Sequence, residues 1–185
     1  MERGNEMLGL KRGQVRLEAW RPEWAEKAQE TAEVLKQVLG EAAADIQHVG
    51  STAIPGICAK PIVDLVVGFR QLGEARAFLP ALEERGVVFR GQDVPGQLLF
   101  VTGDFEQDTR DCHIHGVEYG GEAWENYLNF RDYLRAKPER AAAYNALKGE
   151  LAARFPQDRQ RYTQGKSVLI DALLEEARRW RARQG

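Results

Sequence analysis

The stretch that decides the fold is His48-Val49-Gly50-Ser51-Thr52-Ala53-Ile54-Pro55-Gly56, followed by Ala59-Lys60-Pro61-Ile62-Val63-Asp64-Leu65-Val66-Val67. Ile46 to Val49 is short and apolar, Gly50 to Gly56 is rich in turn residues, and Ile62 to Val67 has the unbroken apolar character of a buried strand. Two strands therefore flank a loop. Gly50 allows close backbone approach to a ligand, and Ser51 with Thr52 offers hydroxyls and amides at the start of a turn, a setting that suits phosphate. Asp64, thirteen residues after Ser51, could hold a divalent metal against that phosphate, and its ionised carboxylate needs a partner among so many aliphatic neighbours.

Strand alternation sets Ile62, Asp64 and Val66 on one face and Val63, Leu65 and Val67 on the other, so Asp64 has no second acid two residues on. The same rule, applied to a strand from Arg110 to Val117, puts Asp111, His113 and His115 together. All three histidines of the chain lie in these segments, with His48 beside the Gly-Ser turn as a supporting residue. Imidazole and carboxylate together suit Zn, Mn, Fe or Ni, whereas Mg prefers oxygen ligands and waters. Asp64, Asp111, His113 and His115 are thus candidate metal ligands, set against the plainer role of bracing Asp64.

Outward from this centre, Val15 to Trp20 reads as a short strand and Pro22 opens an amphipathic helix over Glu23–Leu39 that Gly40 caps. Leu72 to Arg85 has helical spacing, and Val87–Phe89 and Gln97–Val101 are strands joined at Pro95-Gly96. After Gly120-Gly121 the pattern turns helical, with segments near Glu122–Ala136, Glu139–Arg154 and Asp158–Arg183. Trp124, Tyr127, Phe130 and Tyr133 repeat at helix-face spacing and are assigned to core packing rather than to base stacking. The expected architecture is α/β (α+β), with a mixed sheet, flanking helices and a helical last third from about 122. Residues 1–14 are expected as a flexible tail and 15–185 as a single domain.

The bulk properties agree with a globular chain: 43% hydrophobic, 29% charged, and a formal charge of −2. That balance supplies no global field for nucleic acid or anionic lipid, and no run approaches the roughly 18 apolar residues of a membrane helix. The charged start of the chain is unlike a signal peptide, so a cytoplasmic location is expected. Cys58 and Cys112 have neither zinc-finger nor CxxC spacing and are expected to be reduced.

The opening string, together with Asp111-Cys112-His113-Ile114-His115, Phe130-Arg131-Asp132-Tyr133-Leu134-Arg135 and Tyr162 through Lys166, resembles the signature of the GrpB family over about residues 15–170. The resemblance implies a nucleotidyltransferase-like fold in which the Gly-Ser turn holds nucleotide phosphates and acids on the next strands bind two metal ions. Gly50, Ser51 and Asp64 match those positions, with Asp64 the catalytic candidate. The pattern then asks for a second acid where this chain has Val66. Gly50, Ser51, Thr52, Lys60, Arg131 and Lys166 are the candidates for a nucleotide or phosphorylated small molecule. The expected cofactor is a divalent metal, Mg or Mn, or Zn if the histidines ligate. Three functions stay open: a nucleotidyltransferase-like enzyme, a non-catalytic nucleotide-binding or sensor domain, and a metal-dependent hydrolase.

Overall fold

The computed structural model describes residues 8–185. Helix α1, Glu23–Leu39, forms because Trp24, Ala28, Thr31, Leu35 and Leu39 fall on one buried stripe, the spacing of a helix face. Glu23 and Glu26 complement its N-terminus and Lys36 its C-terminus. Gly40, at φ 50°, ends it by donating its N–H to the Lys36 carbonyl.

The main sheet has five strands in the order β2 (Ala43–Val49), β3 (Val63–Phe69), β7 (Cys112–Glu118), β5 (Gln97–Thr102) and β4 (Val88–Val94). Only β3 and β7 run parallel, so the sheet is mixed as expected. Its centre is buried on both faces, with Val63, Leu65 and Val66 at 0% exposure. That explains the unbroken aliphatic run of β3. A small ribbon pairs β1 (Leu10–Lys11) with β6 (Thr109–Arg110).

Val63, Leu65, Val67 and Phe69 face α1, packing with Trp24, Leu35 and Leu39. On the opposite face, helix α3 (Glu122–Ala136) covers part of the sheet, where Val49, Val66, Val117 and Trp124 form one cluster. Helices α4 (Pro138–Arg154) and α5 (Arg159–Ala182) complete this layer. Their own core of Tyr133, Leu134, Tyr144, Leu173 and Ala177 includes Ile54 and Ile57 from the loop after β2. The short α2 is Leu79–Glu84. No described helix is long and apolar enough to cross a membrane, and both cysteines are free thiols.

Three expectations require correction. Val15 to Trp20 is not a strand: Glu18 makes an isolated bridge with Ala59, exchanging backbone hydrogen bonds at 2.8 and 2.9 Å, and the Val15 N–H bonds the Pro156 carbonyl at 2.9 Å. Leu8 to Gln14, expected within a loose tail, is docked: Leu10 is buried in the ribbon and the Gly9 N–H bonds the Pro61 carbonyl at 2.8 Å. The remainder of that tail, residues 1–7, lies outside the described residues. Leu72 to Arg85 splits into a 3₁₀ segment over Leu72–Phe78 and the short α2.

Candidate functional site

The loop between β2 and β3 builds the site, and side chains from three directions satisfy its backbone. Trp20 Nε1 donates to the Thr52 carbonyl at 3.0 Å, Arg135 Nε to the Ala53 carbonyl at 2.8 Å, and the Cys58 N–H to Asn145 Oδ1 at 2.8 Å. His48 Nε2 shares a 2.8 Å hydrogen bond with Thr52 Oγ1. Burial lowers the His48 imidazole to about 4, so at neutral pH it is an uncharged brace beneath the turn. An irregular loop fixed this fully can present a rigid ligand-binding wall.

Gly50 opens that loop at φ 70°, ψ −170°. A Cβ added there would stand 2.6 Å from Asp64 Oδ2, so both the backbone conformation and the close approach require glycine. Ser51–Ala53 then makes one 3₁₀ turn, and Ser51 shares the lining of the pocket with Tyr144.

Asp64 Oδ1 lies 3.5 Å from His113 Nδ1 and 3.6 Å from His115 Nε2. The parallel register explains the grouping, because Asp64 lies beside His113 and Val66 beside His115 in the β3–β7 ladder. Burial acts to raise the Asp64 carboxyl, but hydrogen bonding and charge from the two histidines outweigh it and hold the group well below the ordinary carboxylate range. The partner that an ionised carboxylate on this strand demanded is thus the histidine pair.

Around Asp64 lies a pocket of about 430 Å³ between the sheet and the C-terminal helices. The Gly50–Thr52 turn forms one wall, and Tyr127, Phe130, Tyr144 and Tyr162 supply aromatic surfaces. Four cations line it: Lys60 from the loop, Lys148 from α4, and Arg159 and Lys166 from α5. Asp64 is the sole acidic side chain lining it among the described residues. Lys148 is 1% exposed, donates to the Cys58 carbonyl and sits 4.7 Å from the Tyr144 ring centre. Lys60 and Lys166 lie 5.7 and 4.4 Å from the Tyr162 ring centre.

Burial, reinforced by mutual repulsion, lowers all three ammonium groups. Lys148 comes down to about 7, with Lys166 the next largest cause; Lys60 and Lys166 come down to about 8, both pressed by Arg159. Among the described residues no carboxylate other than Asp64 offsets them, so these side chains leave the pocket with unbalanced positive charge. A bound anion would relieve it.

Two predicted site residues stand elsewhere. Asp111 falls in the one-residue break between β6 and β7, where strand alternation lapses. Its carboxylate accepts from Thr102 Oγ1 and pairs with Lys27 of α1 at 3.1 Å, toward the opposite face of the sheet from Asp64. Arg131 is a clamp between layers, reaching Asp132 at 2.8 Å, Gln47 Oε1 at 2.9 Å and the His48 carbonyl at 3.0 Å. It does not line the pocket.

The donor set does not fit a resident two-metal centre. Val66, where a second acid would stand, is fully buried against Val49, Val117 and Trp124. With Asp111 turned away, no group of three or more His, Cys, Asp or Glu side chains among the described residues is arranged to hold a metal ion.

Sequence reasoning missed Lys148 and Arg159. Lys148 had a legible signal, since Ala141, Tyr144, Lys148 and Leu151 share the buried stripe of α4. A lysine there marks a charge kept inside for a reason. The helix-face aromatics divide: Trp124 and Tyr133 are core, whereas Tyr127 and Phe130 reach the pocket.

Comparison with known proteins agrees with this architecture. The family model described as GrpB protein matches residues 14–176. The glutamate-rich protein GrpB of Alkalihalophilus pseudofirmus is 36% identical over 173 residues, covering 92% of this chain and 99% of the relative. A protein named dephospho-CoA kinase from Mycolicibacterium paratuberculosis is 28% identical over 197 residues, and the match covers 92% of this chain but only 48% of that protein. The crystal structure of conserved protein GrpB from Enterococcus faecalis superimposes with a TM-score of 0.81 at 29% identity, covering 88% of this chain and 96% of that one. A Cid1 poly(U) polymerase structure aligns with a TM-score of 0.52 at 18% identity, over 75% of this chain and 44% of that one, a likeness of fold alone. The chain belongs to the GrpB family and has its nucleotidyltransferase-like fold.

Proposed function

We propose that the pocket binds the phosphate portion of a nucleotide or another phosphorylated small molecule. The observation that carries this reading is the convergence of Lys60, Lys148, Arg159 and Lys166 on one cavity whose lining contains a single acid. An unliganded cluster of this kind is electrostatically costly, and a phosphate, with several acceptor oxygens, is the small anion that satisfies several donors at once. Tyr127, Phe130 and Tyr144 also line an adjoining, more apolar cavity of about 310 Å³, which gives the organic part of the ligand a place beside its phosphate.

Asp64, kept ionised by its histidines, accepts a hydrogen bond from a ligand hydroxyl or amine and orients the ligand against the lysines. Standard two-metal nucleotidyl transfer needs more carboxylates than one, so recognition of the ligand is the role this site supports best. A thermal-shift series tests it, with nucleoside phosphates and sugar phosphates compared against their dephosphorylated counterparts. Stabilisation confined to the phosphorylated compounds is expected; equal shifts for both sets, or none, would overturn the reading.

A further inference from the structure

Another cavity, of about 380 Å³, opens beside the lysine pocket, and Arg159 and His113 line both. Leu99 and Val101 of β5 line it together with Arg12, Arg90 and Arg110. No carboxylate lines it, and Arg12, Arg90 and Arg159 have no acidic partner among the described residues. Arg110 is held by the Thr109 carbonyl at 2.8 Å and by Asp108 at 3.2 Å. The guanidinium groups of Arg90 and Arg110 lie 5.2 and 4.7 Å from the ring centre of Phe105, and stacking of this kind restricts a guanidinium while leaving its N–H donors free.

Four guanidinium groups line one cleft that shares Arg159 and His113 with the lysine pocket, and guanidinium N–H forks match the oxygens of a phosphate. We propose that this arginine cleft is a second anion subsite and that the protein's ligand is a small molecule carrying phosphate groups in both cavities. The inference rests on the phosphate-binding reading of the lysine pocket and extends it to a polyphosphorylated ligand class. A small molecule suits the cleft better than a nucleic-acid strand. Two adjoining cavities of this size accommodate a few phosphate groups, and a chain of net charge −2 supplies no general attraction for a long polyanion.

Calorimetry with inorganic phosphate, tripolyphosphate and a single-stranded oligonucleotide tests this on the full chain, comparing wild type, Lys166→Met and the double variant Arg12→Ala/Arg90→Ala. Arg12 and Arg90 are exposed and make no side-chain hydrogen bond or salt bridge among the described residues, so the double variant, which loses only the Arg90–Phe105 stacking, is expected to fold, and its circular dichroism and melting temperature check that. The expected result is that tripolyphosphate binds wild type about tenfold or more tighter than phosphate, the scale of one charge-assisted contact. That advantage disappears in the arginine variant while phosphate binding is unchanged. An advantage that survives in the arginine variant overturns the second subsite and leaves the lysine pocket standing. Phosphate binding that is absent in wild type, or unaffected by Lys166→Met, overturns the pocket reading and this inference with it. An oligonucleotide that binds tighter than tripolyphosphate overturns the small-molecule assignment.

Discussion

Gly50 and Asp64 are in van der Waals contact across the β2–β3 loop, with no room for a side chain between them: a Cβ at position 50 would lie 2.6 Å from Asp64 Oδ2. The glycine thus fixes where the carboxylate sits. Gly50→Ala would add both that clash and a side chain at φ 70°. It should destabilise the fold by about 1–3 kcal/mol and weaken ligand binding by displacing Asp64. Urea denaturation alongside ligand titration checks both effects, and a variant as stable as wild type would show that the turn relaxes freely.

Anion binding should depend on pH in a direction set by the lysines. Lys148 titrates at about 7, and Lys60 and Lys166 at about 8. Only their protonated forms attract an anion, so affinity is highest below about 7 and falls as pH rises through these values. Sulfate is the suitable probe because its own charge is constant over this range. Affinity that stays flat from pH about 6 to about 9 would contradict the assignment of these groups to the site.

Val66→Asp is the substitution that the parent fold's metal pattern suggests, and it should fail. Position 66 is fully buried in the cluster with Val49, Val117 and Trp124, so an added carboxylate is placed among apolar side chains. A loss of about 3 kcal/mol or more is expected, read from the denaturation midpoint, with no gain in metal affinity.

Arg131→Met separates clamp from ligand. Loss of the contacts to Gln47, the His48 carbonyl and Asp132 should cost about 1–3 kcal/mol and leave sulfate affinity at neutral pH unchanged. A variant of normal stability with weakened sulfate binding would return Arg131 to the site.

Much of this architecture was readable from residue order because local signals coincided. In α1 the apolar stripe, Pro22 and Gly40 agree, and the helix runs over the expected Glu23–Leu39. The Gly50 turn and the aliphatic run around Asp64 likewise defined two strands and the loop between them. Reading failed where tertiary partners decide. Asp111 looked like a third member of the His113–His115 face, but the chain breaks its strand there and Lys27 of α1, distant in sequence, claims the carboxylate. Arg131 matched a basic candidate, yet what a guanidinium on α3 touches depends on how that helix lies across β2. Lys148 and Arg159 were overlooked because a lysine or arginine on a helix is commonly solvated; the apolar stripe of α4 marks Lys148, whereas Arg159 turns inward only through the packing of α5.

The central claim is that the buried lysines are kept for an anionic ligand rather than for stability, and Lys148→Met tests it most directly with two readings on one variant. Burial holds the Lys148 amine at about 7, below its unfolded value of about 10.4. The cost of burying its charge is therefore full below about pH 7 and is relieved as pH rises toward the ordinary lysine range. Lys148→Met should leave the protein as stable as wild type or more stable at pH about 6, with any gain shrinking by pH about 9. It should also reduce the affinity for adenosine triphosphate, measured by calorimetry at pH about 6.5 without added metal, by about tenfold or more. A variant that loses stability while binding the nucleotide as wild type does would contradict the account.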